Sequence, residues 1–167
     1  MRQLLEERQV VADVWDILAR PIPVHNPEYH WDPHGSNEPA VRELAERADA
    51  ADGFVWATPV YHNSFSGILK NCLDNLTTTQ FRDKPVALIS HGGARGGVQP
   101  CDQLRIVVKG LLGVAIPSQI VTIGEDFVTE GETYRLTDPT LKKRFDRIAD
   151  ELIKYGIALR TMRARPS

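Results

Sequence analysis

Apolar runs and helical stripes alternate along the chain. Residues 54–57 and 86–89 are apolar throughout, which is typical of strands that are covered on both faces. Residues 118–123 predict another strand. Residues 10–18, where two aspartates interrupt the apolar positions, predict an edge strand with one wetter face. The alternation predicts an α/β fold in which helices cover both faces of a parallel sheet.

Helices are predicted where apolar residues recur with helical spacing. The last helix begins at Asp138-Pro139, an N-cap followed by a proline in the first turn, and residues 127–136 before it predict a turn or hairpin. Three earlier stripes each lie on one helical face: Val41, Leu44, Ala45, Ala48; Phe65, Ile68, Leu69, Cys72, Leu73, Leu76; and Leu104, Val107, Val108, Leu111.

Composition narrows the class of protein. The 167 residues, 42% hydrophobic and 25% charged, predict one globular domain over residues 1–167. A net charge of −2 gives the protein no positive electrostatic field to attract nucleic acid, so no nucleic acid partner is expected. The apolar runs are far shorter than the ~20 residues that cross a bilayer, and the acidic start does not resemble a secretory signal. We therefore expect a cytoplasmic protein with no membrane contact, in which Cys72 and Cys101 are small buried hydrophobes.

Two loops carry the candidate chemistry, because ligands of such sheets bind beyond the carboxyl ends of the strands. The loop that follows residue 57 brings hydroxyl, amide and backbone donors that suit the polar edge of a ring. The loop that follows Ser90 has four glycines in six positions, which lets backbone and a flat ligand approach closely. It has neither the GxGxxG nor the GxxxxGK[ST] spacing. We expect the two loops to share one pocket.

The residues around the first loop carry a family resemblance. Residues 57–64, Ala-Thr-Pro-Val-Tyr-His-Asn-Ser, followed by residues 67–74, Gly-Ile-Leu-Lys-Asn-Cys-Leu-Asp, resemble the signature of the NAD(P)H-dependent FMN reductases. Residues 81–90 with the glycine loop resemble the next block of that family, and residues 116–118 are a shorter match. The resemblance implies a flavodoxin-like, three-layer α/β/α fold with a parallel sheet of strand order 2-1-3-4-5 that binds FMN.

The resemblance also implies a site and a reaction. A hydride would move from C4 of the nicotinamide of NAD(P)H to N5 of the flavin, so no catalytic acid or base is assigned. The reduced flavin would be released or would reduce a small acceptor such as a quinone or an azo compound, in a homodimer or homotetramer. The residues expected at the flavin are Thr58, Pro59, Val60, Tyr61, His62, Asn63 and Ser64 on one side and His91, Gly92, Gly93 and Gly96 on the other.

One departure from the family concerns the start of the chain. The family opens with a strand, a phosphate-gripping loop and a helix, and none of these precedes Val10. Relative to the family, the expectation is an N-terminally truncated domain without strand 1, which binds FMN weakly or not at all. We favour the explanation that the start site of the sequence is placed too far downstream. The alternative is an altered family member that no longer binds the phosphate of FMN.

Other readings of the sequence differ in what they require. An electron carrier of the flavodoxin type would need a strongly acidic surface, which a net charge of −2 does not favour. A catalytically silent member would no longer bind FMN.

His25, His30 and His34 match no zinc spacing and lie in a proline-rich loop, so no metal site is predicted. Lys70 and Asp74 stand four apart on one helix and are expected to pair.

Overall fold

The computed structural model describes residues 1–93, 97–131 and 133–164. Short 3-10 turns cover Pro27–Tyr29, Pro33–Gly35 and Gly124–Asp126. The helices and strands are α1 (Arg2–Glu6), α2 (Pro39–Ala50), β1 (Phe54–Pro59), α3 (Gly67–Asp74), α4 (Thr78–Phe81), β2 (Pro85–His91), α5 (Gln99–Gly110), β3 (Val114–Thr122), β4 (Phe127–Glu130), β5 (Thr133–Leu136) and α6 (Pro139–Arg163).

The main sheet contains three parallel strands in the order β1-β2-β3, and β4 pairs with β5 in a separate antiparallel hairpin. The register between β2 and β3 shifts, since Val86 pairs with Ala115 but Leu88 pairs with Gln119. Arg105 holds the extra residues of β3, and its guanidinium donates to the carbonyl oxygens of Ile116 and Pro117 at 2.9 Å each. The irregular strand is therefore fixed from the neighbouring helix.

Apolar clusters cover both faces of the sheet. Successive strand residues point to opposite faces, so Val86 and Leu88 belong to one cluster while Ala87 belongs to the other. The first cluster takes its helical residues mainly from α2, α3 and α5, and the second takes them mainly from α6. This arrangement is the three-layer α/β/α fold expected from the sequence.

The predicted edge strand over residues 10–18 is wrong, because this segment forms no strand. Val10 and Ala12 pack against one cluster while Trp15 and Ile17 pack against the other, so the segment passes from one face of the sheet to the other. Side chains hold it there, as the guanidinium carbons of Arg20, two residues after the segment, and Arg47 on α2 lie 4.2 and 5.0 Å from the centre of the Trp15 ring. Its apolar residues pack first on one face of the sheet and then on the other, so they do not line one side of a strand.

The other predicted elements are confirmed. The stripe over Val41 to Ala48 lies on α2, and most of the other two stripes lie on α3 and α5. Phe65 precedes α3, Leu76 follows it and Leu111 follows α5, while Ile68 on α3 is exposed. Residues 127–136 form the β4–β5 hairpin. Asp138 caps α6, and its side chain accepts hydrogen bonds from the backbone N–H groups of Thr140 and Leu141. Lys70 pairs with Asp74, as expected from their spacing. Across the residues that the structure describes, no helix combines the length and apolar character needed to cross a membrane.

Candidate functional site

The two candidate loops meet at the carboxyl edge of the sheet. Pro59, the last residue of β1, pairs with His91, the last residue of β2. The pairing continues beyond the strands, since the N–H of Val60 donates to the His91 carbonyl at 2.8 Å and the N–H of Gly92 donates to the Thr122 carbonyl at 3.0 Å. The first loop therefore leaves the sheet directly beside the second.

The first loop folds into a tight turn over Tyr61–Ser64. Tyr61 and Ser64 exchange two backbone hydrogen bonds of 2.9 Å each. Between them, His62 and Asn63 have φ values of 50° and 60°, the left-handed pair that defines a type I′ turn. The N–H groups of His62 and Asn63 have no partner among the described residues, and both residues are exposed. The tip of the turn thus presents two backbone donors.

Thr58 supports the loop from beneath. It is buried, and its hydroxyl oxygen accepts a hydrogen bond from the N–H of Ser66 at 2.9 Å. Ser66 is the N-cap of α3, where its own hydroxyl accepts from the N–H of Leu69 at 3.4 Å. The hydroxyl of Thr58 is therefore engaged within the protein, and this residue shapes the loop from inside.

The second loop is anchored at its two described ends. At its start, Nδ1 of His91 lies 2.9 Å from the hydroxyl of Thr122, and the His91 ring lies 6.0 Å from that of Phe127 at the base of the hairpin. At its end, the hydroxyl of Ser90 donates to the Gly97 carbonyl at 2.8 Å. Gly96, which the sequence analysis placed at the site, lies outside the described residues, as do its two preceding neighbours.

The glycines of this loop differ in their surroundings. A Cβ on Gly92 would lie 2.7 Å from Cγ2 and 2.9 Å from Cβ of Val60, closer than real atoms approach. Gly92 is thus required by the close passage of the first loop. Among the described residues, a Cβ on Gly93 would meet no atom within 4 Å apart from its own chain neighbours, so these residues leave space beside Gly93.

Gln103 is a residue of the site that the sequence analysis missed. It lies on α5, the helix that follows the glycine loop, yet its side chain contacts the first loop. Its Oε1 accepts a hydrogen bond from the hydroxyl of Ser64 at 2.6 Å, and its Nε2 donates to the Asn63 carbonyl at 3.1 Å. A polar residue on a helix gives no signal of such a contact in the sequence.

Neither cysteine supplies a nucleophile. Burial raises the pKa of the Cys72 thiol to about 11, and burial also raises the pKa of Cys101. Both thiols are buried and unpaired, so they stay protonated near neutral pH. They behave as the small apolar residues that the sequence predicted.

The three histidines of the proline-rich loop are engaged in other contacts. Nε2 of His34 lies 2.7 Å from a carboxylate oxygen of Asp49 on α2. His25 and His30 lie side by side, with 3.3 Å between ring nitrogens. In residues 1–93, 97–131 and 133–164, no group of three or more metal-binding side chains comes together.

The two loops suit a flat ligand with polar edges. Two backbone N–H groups of the turn have no partner among the described residues, and those residues leave space beside Gly93. Ring carbonyl and imine groups are the acceptors that such donors fit, so the residues present fit an isoalloxazine ring. A separate groove of about 860 Å³ lies between α5, β3 and α6, and no described residue of the two loops lines it.

Comparison with known proteins begins with the fold. The structure is similar to a flavoenzyme NAD(P)H:(acceptor) oxidoreductase from Paracoccus denitrificans, with a TM-score of 0.74, 22% identity and coverage of 94% of this chain and 85% of that one. It is also similar to an oxidoreductase from Corynebacterium diphtheriae, with a TM-score of 0.64, 21% identity and coverage of 93% and 82%. The fold is thus flavodoxin-like.

Sequence comparison then gives the family. The profile of the NADPH-dependent FMN reductases matches residues 1–127, and the chain belongs to that family. An FMN-dependent NADPH-azoreductase of Staphylococcus aureus strain USA300 is 40% identical over 116 residues, which are 69% of this chain. The matched region spans 62% of the length of that curated relative.

Proposed function

We propose that this chain is an NAD(P)H-dependent FMN reductase whose two loops hold the isoalloxazine ring. The observation that carries the proposal is the meeting of the Tyr61–Ser64 turn with Gly92 and Gly93 at one edge of the sheet. Family membership supports it. When bound, FMN supplies the chemistry, since it accepts a hydride from NAD(P)H and passes electrons to an acceptor.

The protein residues bind and orient in this proposal. The N–H groups of His62 and Asn63 donate to acceptors on the ring edge, and Gly93 leaves room for the ring. Tyr61 is 59% exposed, so its ring is available to contact a bound flavin. No side chain is assigned as a catalytic acid or base. The full set of cofactor-binding residues is the one expected from the sequence: Thr58 to Ser64 with His91, Gly92, Gly93 and Gly96.

The acceptor is proposed to be a small molecule such as a quinone or an azo compound. The azoreductase relative supports the second class. We further propose that residues 1–167 act as one cytoplasmic domain that assembles as a homodimer or homotetramer, as the family resemblance implies.

Flavin titration of Gly93→Val tests where the ring lies. A valine at this position fills the open space beside the turn, and we expect the Kd for FMN, measured by flavin fluorescence, to rise by about tenfold or more. Gly110→Val is the matched control, because a Cβ there also meets no atom and Gly110 ends α5, away from the two loops. Equal effects in the two variants would contradict the placement of the ring.

Activity and phosphate recognition need separate measurements. NADPH oxidation that proceeds with FMN and an azo dye, without a partner protein, supports the reductase, and a requirement for a protein acceptor would favour an electron carrier. The weak FMN binding expected from the sequence stays a prediction. Riboflavin, which lacks the phosphate, tests this prediction. Similar Kd values for riboflavin and FMN would mean that these residues bind the ring and do not bind the phosphate.

A further inference from the structure

Gln103 connects two loops that belong to different strands. Its helix, α5, starts two residues after Gly97, at the end of the glycine loop. Its side chain crosses to the Tyr61–Ser64 turn, where it accepts from Ser64 and donates to the Asn63 carbonyl. Both polar ends of the amide are used, and both are used on the same turn.

The turn has reason to need such a contact. Left-handed backbone is sterically unfavourable for most residues that carry a side chain, less so for asparagine, and His62 and Asn63 both adopt it, at φ values of 50° and 60°. Such conformations persist where surrounding contacts over-determine them. The two hydrogen bonds between Tyr61 and Ser64 close the turn from within, and Gln103 is its side-chain support from α5.

The contact also sets how the turn faces the second loop. The strand ends are joined by the bond from the Val60 N–H to the His91 carbonyl. Gln103 adds a second junction, at residues 63 and 64 of the turn, through the helix that follows the glycine loop. The first loop is therefore joined both to the end of β2 and to α5.

We propose that Gln103 is a positioning residue that holds the Tyr61–Ser64 turn in the orientation that receives the flavin ring. This inference rests on the proposed function. Gln103 acts through Asn63 and Ser64 and need not touch the flavin. Its loss is expected to loosen the turn and to weaken flavin binding while the sheet stays intact.

Two substitutions at Gln103 separate its two bonds. Gln103→Leu removes both, while Gln103→Glu keeps an acceptor for the Ser64 hydroxyl and loses the donor to the Asn63 carbonyl. Gln99→Leu, at an exposed position one turn earlier on α5, is the matched control for the change of residue type. Amide hydrogen exchange of Tyr61 and Ser64 measures the turn without flavin, and the Kd for FMN measures its consequence.

In Gln103→Leu, the amides of Tyr61 and Ser64 should exchange about tenfold faster, the Kd for FMN should rise by about tenfold, and the thermal midpoint should stay close to that of Gln99→Leu. Gln103→Glu should impair both measurements at least as much as Gln103→Leu, because its carboxylate oxygen would face the Asn63 carbonyl oxygen with no donor between them. Unchanged exchange in Gln103→Leu would overturn the support of the turn. Faster exchange with an unchanged Kd would overturn its role toward flavin.

Failure of the proposed function has a different signature. If the wild-type chain binds neither FMN nor riboflavin, the proposed function falls and the role of Gln103 toward flavin falls with it. The exchange measurement on the flavin-free variants still reports whether Gln103 supports the turn. Failure of the proposed function therefore appears in the wild-type chain, whereas failure of the role of Gln103 appears in the variants.

Discussion

The two loops at the carboxyl edge of the sheet reach a defined shape by opposite means. The Tyr61–Ser64 turn keeps side chains on left-handed backbone and is held by hydrogen bonds from its own residues and from Gln103. The glycine loop lacks side chains at its glycines instead, and Gly92 can lie in contact with Val60 because it has no Cβ. The first loop therefore depends on hydrogen bonds, and the second depends on the absence of side-chain atoms at its glycines.

This difference predicts different sensitivities. The first loop should be damaged by removing a donor or an acceptor, because its shape depends on hydrogen bonds within the turn and from Gln103. The second should be damaged by adding atoms, because a packed contact has no room for them. Substitutions in the two loops can therefore break each mode of support separately.

Gly92→Ala is expected to have the largest effect on the free energy of unfolding. The new methyl group would lie 2.7 Å from Cγ2 of Val60, so Val60 or the backbone of one of the two loops must shift. Overpacking of this kind costs about 1–3 kcal/mol, and urea unfolding followed by tryptophan fluorescence measures it.

Gly93→Ala is the control in the same loop, because its methyl group meets no atom within 4 Å and its backbone φ is not left-handed. It should change the free energy of unfolding by no more than about 0.5 kcal/mol. Combining Gly92→Ala with Val60→Ala should recover part of the loss, since the nearest atom is removed. Similar losses at positions 92 and 93 would show that the close approach to Val60 is not the cause.

Sequence patterns predicted the main elements because each element repeats its signal over many residues. Three helical stripes and two continuous apolar runs agree with α2, α3, α5, β1 and β2. The segment over residues 10–18 misled the prediction because alternating side chains do not make a strand without a neighbour to pair with. Its Trp15 instead packs between arginine side chains, a contact that the pattern does not contain.

At the site, sequence predicted the meeting of the loops but not how they are held. Parallel strands end at the same edge, so adjacency followed from the fold class. The contact of Gly92 with Val60 joins residues 32 positions apart, and Gln103 reaches its partners over 39 and 40 positions. Such contacts depend on the packed structure, and no local pattern marks them.

Thr58→Val removes the hydroxyl, which also donates to the Pro59 carbonyl, and keeps the shape of the side chain. The N–H of Ser66, buried at the start of α3, would lose the acceptor that lies 2.9 Å away. We expect a loss of about 1–2 kcal/mol in the free energy of unfolding, measured in the same urea experiment. Thr58→Ser keeps the hydroxyl and should lose less, and a larger loss in Thr58→Ser than in Thr58→Val would show that the methyl group matters more than the bond.

His62→Gly should have the smallest effect, and its sign should be the reverse of the effect at Gly92. Glycine adopts left-handed backbone without the steric cost that histidine bears at a φ of 50°. The greater freedom of glycine in the unfolded chain offsets part of this gain. We therefore expect a net gain of less than about 1 kcal/mol in the free energy of unfolding.

His62→Ala is the matched control, because it removes the imidazole but keeps the Cβ that causes the strain. If strain decides the outcome, His62→Gly should be more stable than His62→Ala by about 1 kcal/mol in the same experiment. If His62→Ala equals or exceeds His62→Gly, the turn bears no measurable strain at this position. Its bonds to Gln103 would then orient a turn that is stable by itself, and the contrast between the two loops would narrow to the packing of Gly92 against Val60.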